Sequence, residues 1–259
     1  MSFALIPTPL CGSEEKLEKF LSLISDIADT TYANEPRNVS YSWFRKSPLD
    51  QQDEHRCCGF EVYADELALT QAHRSSPEYK RMRSVGVEEQ LFVHPTALIF
   101  LEPACANGFL AREVADVQFK HSQTNSNLIV VRRYITKHYE ETKVLLEELN
   151  LLARKCREME HVLTFMPLKR KDGVATEVSV LERYTSQEKY EQTQISLEEL
   201  RYDEDIGQGE ISRLTSRSGL ELKVSQNKWT HHTGRMGSGT FDLRVSLKRL
   251  EALAELYQQ

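Results

Sequence analysis

The sequence predicts an α+β fold in which one unit, with the element order βαββαβ, occurs twice along the chain. Short apolar runs with period-two alternation predict the strands, and apolar residues at helical spacing predict the helices between them. Related features also recur about 120 positions apart. A chain of 259 residues is long enough for about two domains, at roughly 150 residues per domain.

The first unit begins with an apolar strand at Phe3–Leu10, after which Ser13 caps a helix. Apolar residues from Leu17 to Ala28 follow at spacings of three and four, which places them on one face of that helix. The remaining elements are a strand at 39–45, a strand at 58–63, a helix that Asp65 caps and Ser76-Pro77 restarts, and a strand at 93–101.

The second unit repeats this order. An apolar strand at Leu128–Thr136 precedes a helix whose apolar stripe runs from Leu145 to Cys156. The next elements are strands at 162–169 and 176–184 joined by an Asp172-Gly173 turn, a helix capped by Ser186 and restarted by a capping box at Ser196–Glu199, and a last strand at 220–224. An insertion at 203–218 and a C-terminal helix at 243–256 are additional to the unit.

Matching features lie in register between the two halves. Glu61-x-Tyr63 recurs as Glu182-x-Tyr184, 121 positions later, and the residues that cap the helices recur at nearly the same offset. This agreement favours duplication of a unit of roughly 100 residues, which is longer than the repeats of solenoid proteins. We therefore predict two domains, at 1–118 and 119–259.

The composition argues against several classes of protein. The net charge of −6 disfavours a nucleic-acid-binding surface, which needs a basic excess to neutralise phosphates. No apolar run approaches the ~20 residues of a membrane span, and the N-terminus lacks the basic flank and long apolar stretch of a signal peptide. Five cysteines without a CxxC spacing predict reduced thiols and a cytoplasmic protein.

Each predicted sheet carries helices on one face, which leaves its other apolar face uncovered. Packing the two ferredoxin-like sheets against each other within one chain covers both faces, and this arrangement is the dimeric α+β barrel. The barrel is then complete in a monomer with an internal pseudo-dimer, and a further homodimer is optional.

Four stretches of the first half carry a family resemblance: Asn34-Glu35-Pro36, Val39–Trp43, Phe60–Asp65 and Ala72–Tyr79. They resemble the antibiotic biosynthesis monooxygenase (ABM) family, and the whole chain resembles tandem ABM proteins of secondary metabolism. Many members of this family are monooxygenases that need no metal or flavin. They bind an acidic phenol or anthrone, help to remove a proton and let the carbanion react with oxygen. Other members degrade haem, isomerise signalling molecules or have no known activity, so fold alone does not decide function.

The resemblance implies His73 as the catalytic base, because the ABM motif often has a histidine just before the Ser-Pro break. An imidazole titrates near neutral pH and can accept a phenolic or carbon-bound proton. The alternative is a histidine bonded to backbone at a helix end. The matching position in the second half is about Gln194, which cannot act as a base, so we expect any active pocket in the first half.

Aromatic and acidic residues on two neighbouring strands predict a substrate-binding cleft. Tyr41 and Trp43 alternate onto one face of their strand, and Glu61 and Tyr63 share a face of the next one. An aromatic cleft with a few polar groups suits a flat polycyclic ligand, and Tyr79 on the following helix is a further candidate. The alternatives are barrel core for the aromatic residues and a structural hydrogen-bond acceptor for Glu61.

The stretch Trp229–Arg235 contains adjacent histidines at 231 and 232. Adjacent side chains point to different sides, so these histidines do not form a two-ligand metal site, and the glycines that follow lack the spacing of a nucleotide loop. We interpret the stretch as a surface loop, or as a lid that brings Trp229 over a pocket.

These observations predict a monooxygenase-like enzyme that needs no metal or other cofactor and acts on an aromatic, polyketide-like small molecule. Haem degradation is disfavoured, because the first strand lacks the asparagine and the third strand lacks the tryptophan that haem degraders of this family use. Two alternatives stay open: a non-catalytic ligand-binding or accessory barrel, and a cofactorless cyclase, decarboxylase or dehydratase.

Overall fold

A computed structural model describes residues 2–48, 50, 55–110, 127–199 and 223–235, and for 195–199 and 235 it describes the backbone. The predicted insertion at 203–218 and the predicted C-terminal helix at 243–256 lie outside the described residues, and so does the predicted domain boundary at 118/119. Within the described ranges, no helix is both long and apolar enough to cross a membrane.

The described chain has the element order βαββαβ in each half. The first half contains β1 Phe3–Leu5, α1 Glu14–Asn34, β2 Asn38–Lys46, β3 Cys57–Tyr63, α2 Pro77–Glu88 and β4 Phe100–Pro103. The second half contains β5 Leu128–Ile135, α3 Tyr139–Glu158, β6 Val162–Arg170, β7 Glu177–Tyr184, α4 Gln187–Glu199 and β8 Lys223–Arg235.

The strands are hydrogen-bonded in the order β1-β3-β2-β8-β5-β7-β6-β4, which closes a barrel. This order confirms the predicted fold class of two ferredoxin-like units in one α+β barrel. Among the described residues, one compact unit comprises those within 2–101, Leu110 and 229–235, and the other comprises 102–109 and those within 127–228. Both β4 and β8 therefore pass from one unit into the other along the chain.

In the first unit, α1 supplies most of the core that packs on the sheet. Ser13 accepts a hydrogen bond from the amide of Lys16 and begins the helix, as predicted. The predicted apolar stripe of α1 is buried, and it packs with residues of β2 and α2 in one cluster. Burial of such a stripe, at about 25 cal/mol per Å² of apolar surface, is what holds the helix on the sheet.

In the second unit, α3 likewise packs on the sheet through a buried apolar stripe. The side chain of Glu141 accepts a hydrogen bond from the amide of His138 and completes a capping box at the start of the helix. The predicted stripe from Leu145 to Cys156 is buried against β5, β6 and β7 in a single cluster. The helices and sheets of both units are therefore placed by patterns that the sequence shows directly.

Two strands of the first unit differ from their predicted bounds. β1 ends at Leu5 because Pro7 and Pro9 have no amide N–H to donate to a ladder. Their carbonyls still accept hydrogen bonds, from the amides of Gly59 and Cys57. The strand predicted at 93–101 begins only at Phe100, and the residues before it follow the surface of the unit without regular structure.

The interpretation of Trp229–Arg235 as a loop or lid is wrong. Of the last strand predicted at 220–224, residues 220–222 lie outside the described residues, and residues 223 and 224 are the start of β8. The stretch Trp229–Arg235 is the C-terminal half of β8, and it pairs antiparallel with β2 from Lys46 opposite Trp229 to Tyr41 opposite Arg235. Gly234 has φ +91°, and a Cβ there would meet the carbonyl of Tyr41, so the close approach requires glycine. The strand lacks clear alternation, and for that reason the sequence pattern did not identify it.

The predicted restart of a helix at Ser196 is also wrong. α4 runs without a break from Gln187 to Glu199, after Ser186 has accepted a hydrogen bond from the amide of Lys189. The helical break at Ser76-Pro77 therefore has no counterpart within α4 as far as Glu199, where the described part of this helix ends. This difference places the site residues of the two units in unlike surroundings.

Candidate active site

A cavity of about 280 Å³ lies within the first unit. Its volume is near the lower end of the range for small-molecule pockets, about 300–1,000 Å³. Its walls are mostly apolar. The sheet contributes Leu5, Tyr41, Trp43 and Glu61, the helices contribute Phe20, Ile24, His73, Arg74, Tyr79, Met82 and Arg83, and the remaining walls include Pro7, Pro9, Phe92, Pro95, Thr96 and Leu98.

An irregular helical segment places His73 at this cavity. The Asp65 carboxylate accepts a hydrogen bond from the amide of Ala68, as predicted for a cap, but a π-helical turn at Ala68–Ala72 and a 3₁₀ turn at His73–Ser75 follow. Ser76 then caps α2 with Pro77 at its first position. The short turns tilt the chain before α2 begins, and His73 lies buried at that point with 1% of its surface exposed.

His73 forms a buried pair with Glu35. Its Nδ1 lies 3.0 Å and 3.2 Å from the two carboxylate oxygens, and the hydroxyl of Thr31 donates to the same carboxylate at 3.2 Å. A carboxylate that accepts from Nδ1–H fixes the tautomer and leaves the lone pair on Nε2. Among the described residues, Nε2 of His73 has no hydrogen-bond partner. The pair has the arrangement of an oriented general base.

Three tyrosines surround the imidazole. The rings of Tyr41, Tyr63 and Tyr79 have their centroids 5.1 Å, 5.5 Å and 5.2 Å from that of His73. Burial raises the pKa values of Tyr41 and Tyr63 well above the ordinary value, so both phenols stay neutral at physiological pH. The cage therefore holds the ring in place without adding charge.

Glu61 is the carboxyl group that lines the cavity itself. The hydroxyl of Tyr63 donates to it at 2.9 Å, and the side chain is 7% exposed. Burial raises the pKa of this carboxyl, and the attraction of His73 only partly offsets that shift. Glu61 thus combines the structural role considered for it, as an acceptor for Tyr63, with a place on the cavity wall.

The structure brings most of the predicted site residues together. His73, Tyr41, Trp43, Glu61 and Tyr79 all line the cavity, and Tyr63 lies behind Glu61 and His73. Trp229 does not line this cavity. It is buried in β8, where the ammonium of Lys46 lies 4.7 Å from the centre of its ring. No group of three metal-ligating side chains occurs in the parts of the chain that are described.

Sequence reasoning did not assign a role to Glu35. The residue follows the end of α1 and precedes Pro36, and in the sequence it stands out only within the stretch Asn34-Glu35-Pro36 that resembles the ABM family. A carboxylate at a helix end before proline is common on a surface, and nothing local indicates that this one is 5% exposed. Its pairing with His73, 38 positions away, depends on the packing of α1 against the segment before α2.

The corresponding region of the second unit is occupied by Arg132. Its guanidinium donates to Glu182 at 2.7 Å, to the hydroxyl of Tyr190 at 3.3 Å and to Gln194 at 3.1 Å. Tyr184 donates to the same carboxylate at 2.7 Å, as Tyr63 does to Glu61. Gln194, the expected counterpart of His73, is therefore a partner of a buried arginine.

The residues next to the matching strand pairs explain why the first unit has a cavity where the second unit has a buried arginine. Leu5 of β1 pairs with Glu61, and Val130 of β5 pairs with Glu182. Two residues further along the chain, the first unit has Pro7, just beyond the end of β1, and the second has Arg132 within β5. Proline leaves space that forms part of the cavity wall, whereas arginine extends to the glutamate and neutralises it.

With glutamine in place of Glu61, the free energy of unfolding is expected to fall less steeply as pH rises. Folding raises the pKa of Glu61. At a pH between the pKa of the unfolded state and that of the folded state, the native protein therefore binds more protons than the unfolded chain. Its stability falls as pH rises through this range. Glutamine removes this contribution and still accepts from Tyr63. Urea unfolding of the variant and of the original protein at pH 5 and pH 8 measures the effect.

Glu147→Gln provides the matched control for this experiment, because Glu147 is exposed on α3. It should leave the pH dependence of the unfolding free energy unchanged. An identical pH dependence in the Glu61 variant and the original protein would contradict the assignment of a desolvated carboxyl to Glu61.

Comparison with known families identifies the segment that contains this site. The family model of antibiotic biosynthesis monooxygenases matches residues 12–85. The match includes α1, β2, β3 and the segment with His73, and it therefore confirms the resemblance that the sequence showed. A search of curated proteins by sequence found no significant match.

Solved structures resemble the chain beyond residues 12–85. A protein from Fusobacterium nucleatum, described provisionally as a monooxygenase, has a TM-score of 0.70 at 12% identity and covers 92% of this chain and 95% of its own. A similarly described protein from Lactobacillus acidophilus has a TM-score of 0.62 at 9% identity, with 92% and 97% covered. An anthrone oxidase-like protein has a TM-score of 0.55 at 14% identity, with 91% and 93% covered. At these identities the similarity is one of fold.

Proposed function

We propose that the first unit is a cofactor-independent monooxygenase that acts on an aromatic, polyketide-like small molecule with an acidic C–H or O–H group. The observation that carries this proposal is the buried pair of Glu35 and His73 at the wall of a mostly apolar cavity, in which Glu35 bonds to Nδ1 and leaves Nε2 for the substrate. The match of the ABM family model at 12–85 supports an oxygenase in preference to other reactions that need a base in an apolar pocket.

The first step is removal of a proton from the bound substrate by Nε2 of His73. Glu35 lowers the energy of the resulting imidazolium, because its carboxylate already accepts from Nδ1 at 3.0 Å. The proton thus moves to a group whose charge is balanced inside the protein. The electron-rich carbanion or phenolate remains in the cavity.

The second step is reaction of the carbanion with oxygen. The carbanion transfers one electron to dioxygen, and the carbon radical and superoxide combine to form a peroxide that takes the proton from His73. Loss of water then converts the CH₂ group into C=O. One CH₂ and one O₂ give one C=O and one H₂O, so the reaction needs no external reductant.

The cavity walls support such a reaction in two ways. Trp43, Phe20 and Phe92 provide apolar and aromatic surface for a flat ring system. Glu35 and His73 are themselves buried, which strengthens the electrostatic effect of the carboxylate on the imidazole. Glu61, whose pKa is raised by burial, adds a carboxyl group that favours its neutral form.

A test uses 1,8-dihydroxyanthrone, an anthrone with an acidic CH₂ group. The protein should accelerate its conversion to the anthraquinone above the rate in buffer, with one O₂ consumed per product and one ¹⁸O atom incorporated from ¹⁸O₂. Binding of the anthrone without acceleration would overturn the proposal in favour of an accessory barrel. Acceleration of a reaction that consumes no O₂ would overturn it in favour of a cyclase, decarboxylase or dehydratase.

A further inference from the structure

Two arginines line the cavity without a bonded anion. The side-chain Nε of Arg74 is buried and has no hydrogen-bond partner, and neither Arg74 nor Arg83 forms an ion pair with a described residue. Two other arginines pair with carboxylates: Arg45 reaches Glu14 and Glu18, and Arg132 reaches Glu182. A buried guanidinium N–H without a partner is unfavourable, so a bound ligand that accepts from it gains affinity.

The charge of the cavity wall is opposite to that of the whole protein. The chain carries a net charge of −6, but its cavity has two guanidinium groups and one carboxyl, that of Glu61. That carboxyl already accepts from Tyr63. Burial raises its pKa, and the charge of Arg74 is among those that partly offset the rise, so the wall has two guanidinium groups for one carboxyl.

Arg74 and Arg83 are close in the chain to the proposed general base, His73, and to Tyr79, which packs on it. Arg74 directly follows His73, and Arg83 lies four residues after Tyr79 on the same face of α2. Tyr79 itself packs on the ring of His73 with centroids 5.2 Å apart. A ligand whose rings lie against Trp43 and Phe92 therefore meets a guanidinium while it also meets the imidazole.

We propose that the ligand of this cavity is an aromatic carboxylic acid whose carboxylate pairs with Arg74 and Arg83. The proposal rests on the proposed function and deepens it by naming the charge of the substrate. A guanidinium binds a carboxylate through two parallel N–H···O bonds, which fixes orientation as well as affinity. The fixed carboxylate then determines which ring carbon faces Nε2 of His73.

The test compares two ligands of the same shape, 9,10-anthraquinone-2-carboxylate and its carboxamide, by quenching of the fluorescence of Trp43. The carboxylate should bind about 10–100-fold more tightly than the carboxamide, because hydrogen bonds to charged groups contribute about 1.5–3 kcal/mol. Arg74→Gln and Arg83→Gln should each weaken binding of the carboxylate by about 10-fold and leave the carboxamide within about 2-fold.

Arg154→Gln is the matched control. Arg154 is an exposed arginine of α3 with no ion pair among the described residues, and it lies outside the cavity. Its replacement should leave both affinities unchanged. Equal affinity for the two ligands, no binding of either, or an equal loss in Arg154→Gln would each overturn the proposal.

The proposed function can fail separately from this inference. If the protein oxidises 1,8-dihydroxyanthrone but binds the carboxylate and the carboxamide equally, the charge of the substrate is wrong and the oxygenase proposal stands. If the carboxylate is preferred through Arg74 and Arg83 but no anthrone consumes O₂, the binding inference stands and the oxygenase proposal is wrong.

Discussion

Replacement of His73 by glutamine is expected to lower the rate of anthrone oxidation by about 10²–10⁴-fold, the usual contribution of a general base. Glutamine can still donate an amide N–H to Glu35, so the buried carboxylate keeps a partner, but it has no basic nitrogen for the substrate. The KM should change little, because burial of aromatic surface in the cavity supplies most of the binding. Oxygen uptake at varied anthrone concentration measures both constants.

His73→Ala should show a loss in the same range, and its pH–rate profile should lack one ionisation. His94→Gln and Gln194→Ala are the controls, since His94 is exposed and Gln194 belongs to the second unit. Both should keep the original rate. Unchanged turnover in His73→Gln would make the histidine structural, and an equal loss in Gln194→Ala would place the activity in the second unit.

Variants of Glu35 test whether this residue acts by positioning His73 or by contacting the substrate itself. Glu35 bonds to Nδ1 and does not line the cavity, so its replacement should lower kcat and leave KM nearly unchanged. Glu35→Gln removes the charge that balances the imidazolium, whereas Glu35→Asp keeps it and should recover part of the rate. Equal losses in the two variants, matched by equal losses of stability, would indicate a purely structural carboxylate.

The sequence predicted well those elements whose signals are local. The stripe from Leu17 to Ala28, the cap at Ser13 and the Ser76-Pro77 start of α2 each depend on residues within a few positions, and the structure has all three. β8 is different, because its pairing with β2 and the close approach at Gly234 depend on residues about 190 positions away. No pattern within Trp229–Arg235 specifies that partner.

The candidate site likewise contains residues that local sequence patterns predict and residues that they do not. Tyr41, Trp43 and Glu61 line one cavity because alternation on β2 and β3 directs side chains to one face, and that alternation is visible in the sequence. His73 and Tyr79 reach the same cavity from the helical segment on either side of the Ser76-Pro77 break. The partner of His73 was missed because Glu35 reaches it through helix packing, and Arg132 was missed because an arginine in an apolar strand is ordinarily a surface residue.

The stability of the second unit is expected to depend on the buried ion pair between Arg132 and Glu182. Arg132 and Glu182 are 3% exposed each, and their atoms lie 2.7 Å apart. Removal of one member of a buried ion pair leaves the other charge without compensation, which destabilises proteins by about 3–5 kcal/mol. Tyr184 would still donate to the carboxylate.

Arg132→Ala is therefore expected to lower the free energy of unfolding by about 3–5 kcal/mol, measured by urea denaturation. Arg133→Ala is the matched control on the same strand: Arg133 is half exposed, its partner Glu177 keeps a second contact with Arg170, and the loss should be about 1 kcal/mol or less. The double variant Arg132→Leu/Glu182→Leu should recover most of the stability, because apolar residues replace both charges at once. A loss in Arg132→Ala no larger than that in Arg133→Ala would contradict the assignment of Arg132 as the buried cation that fills the second unit.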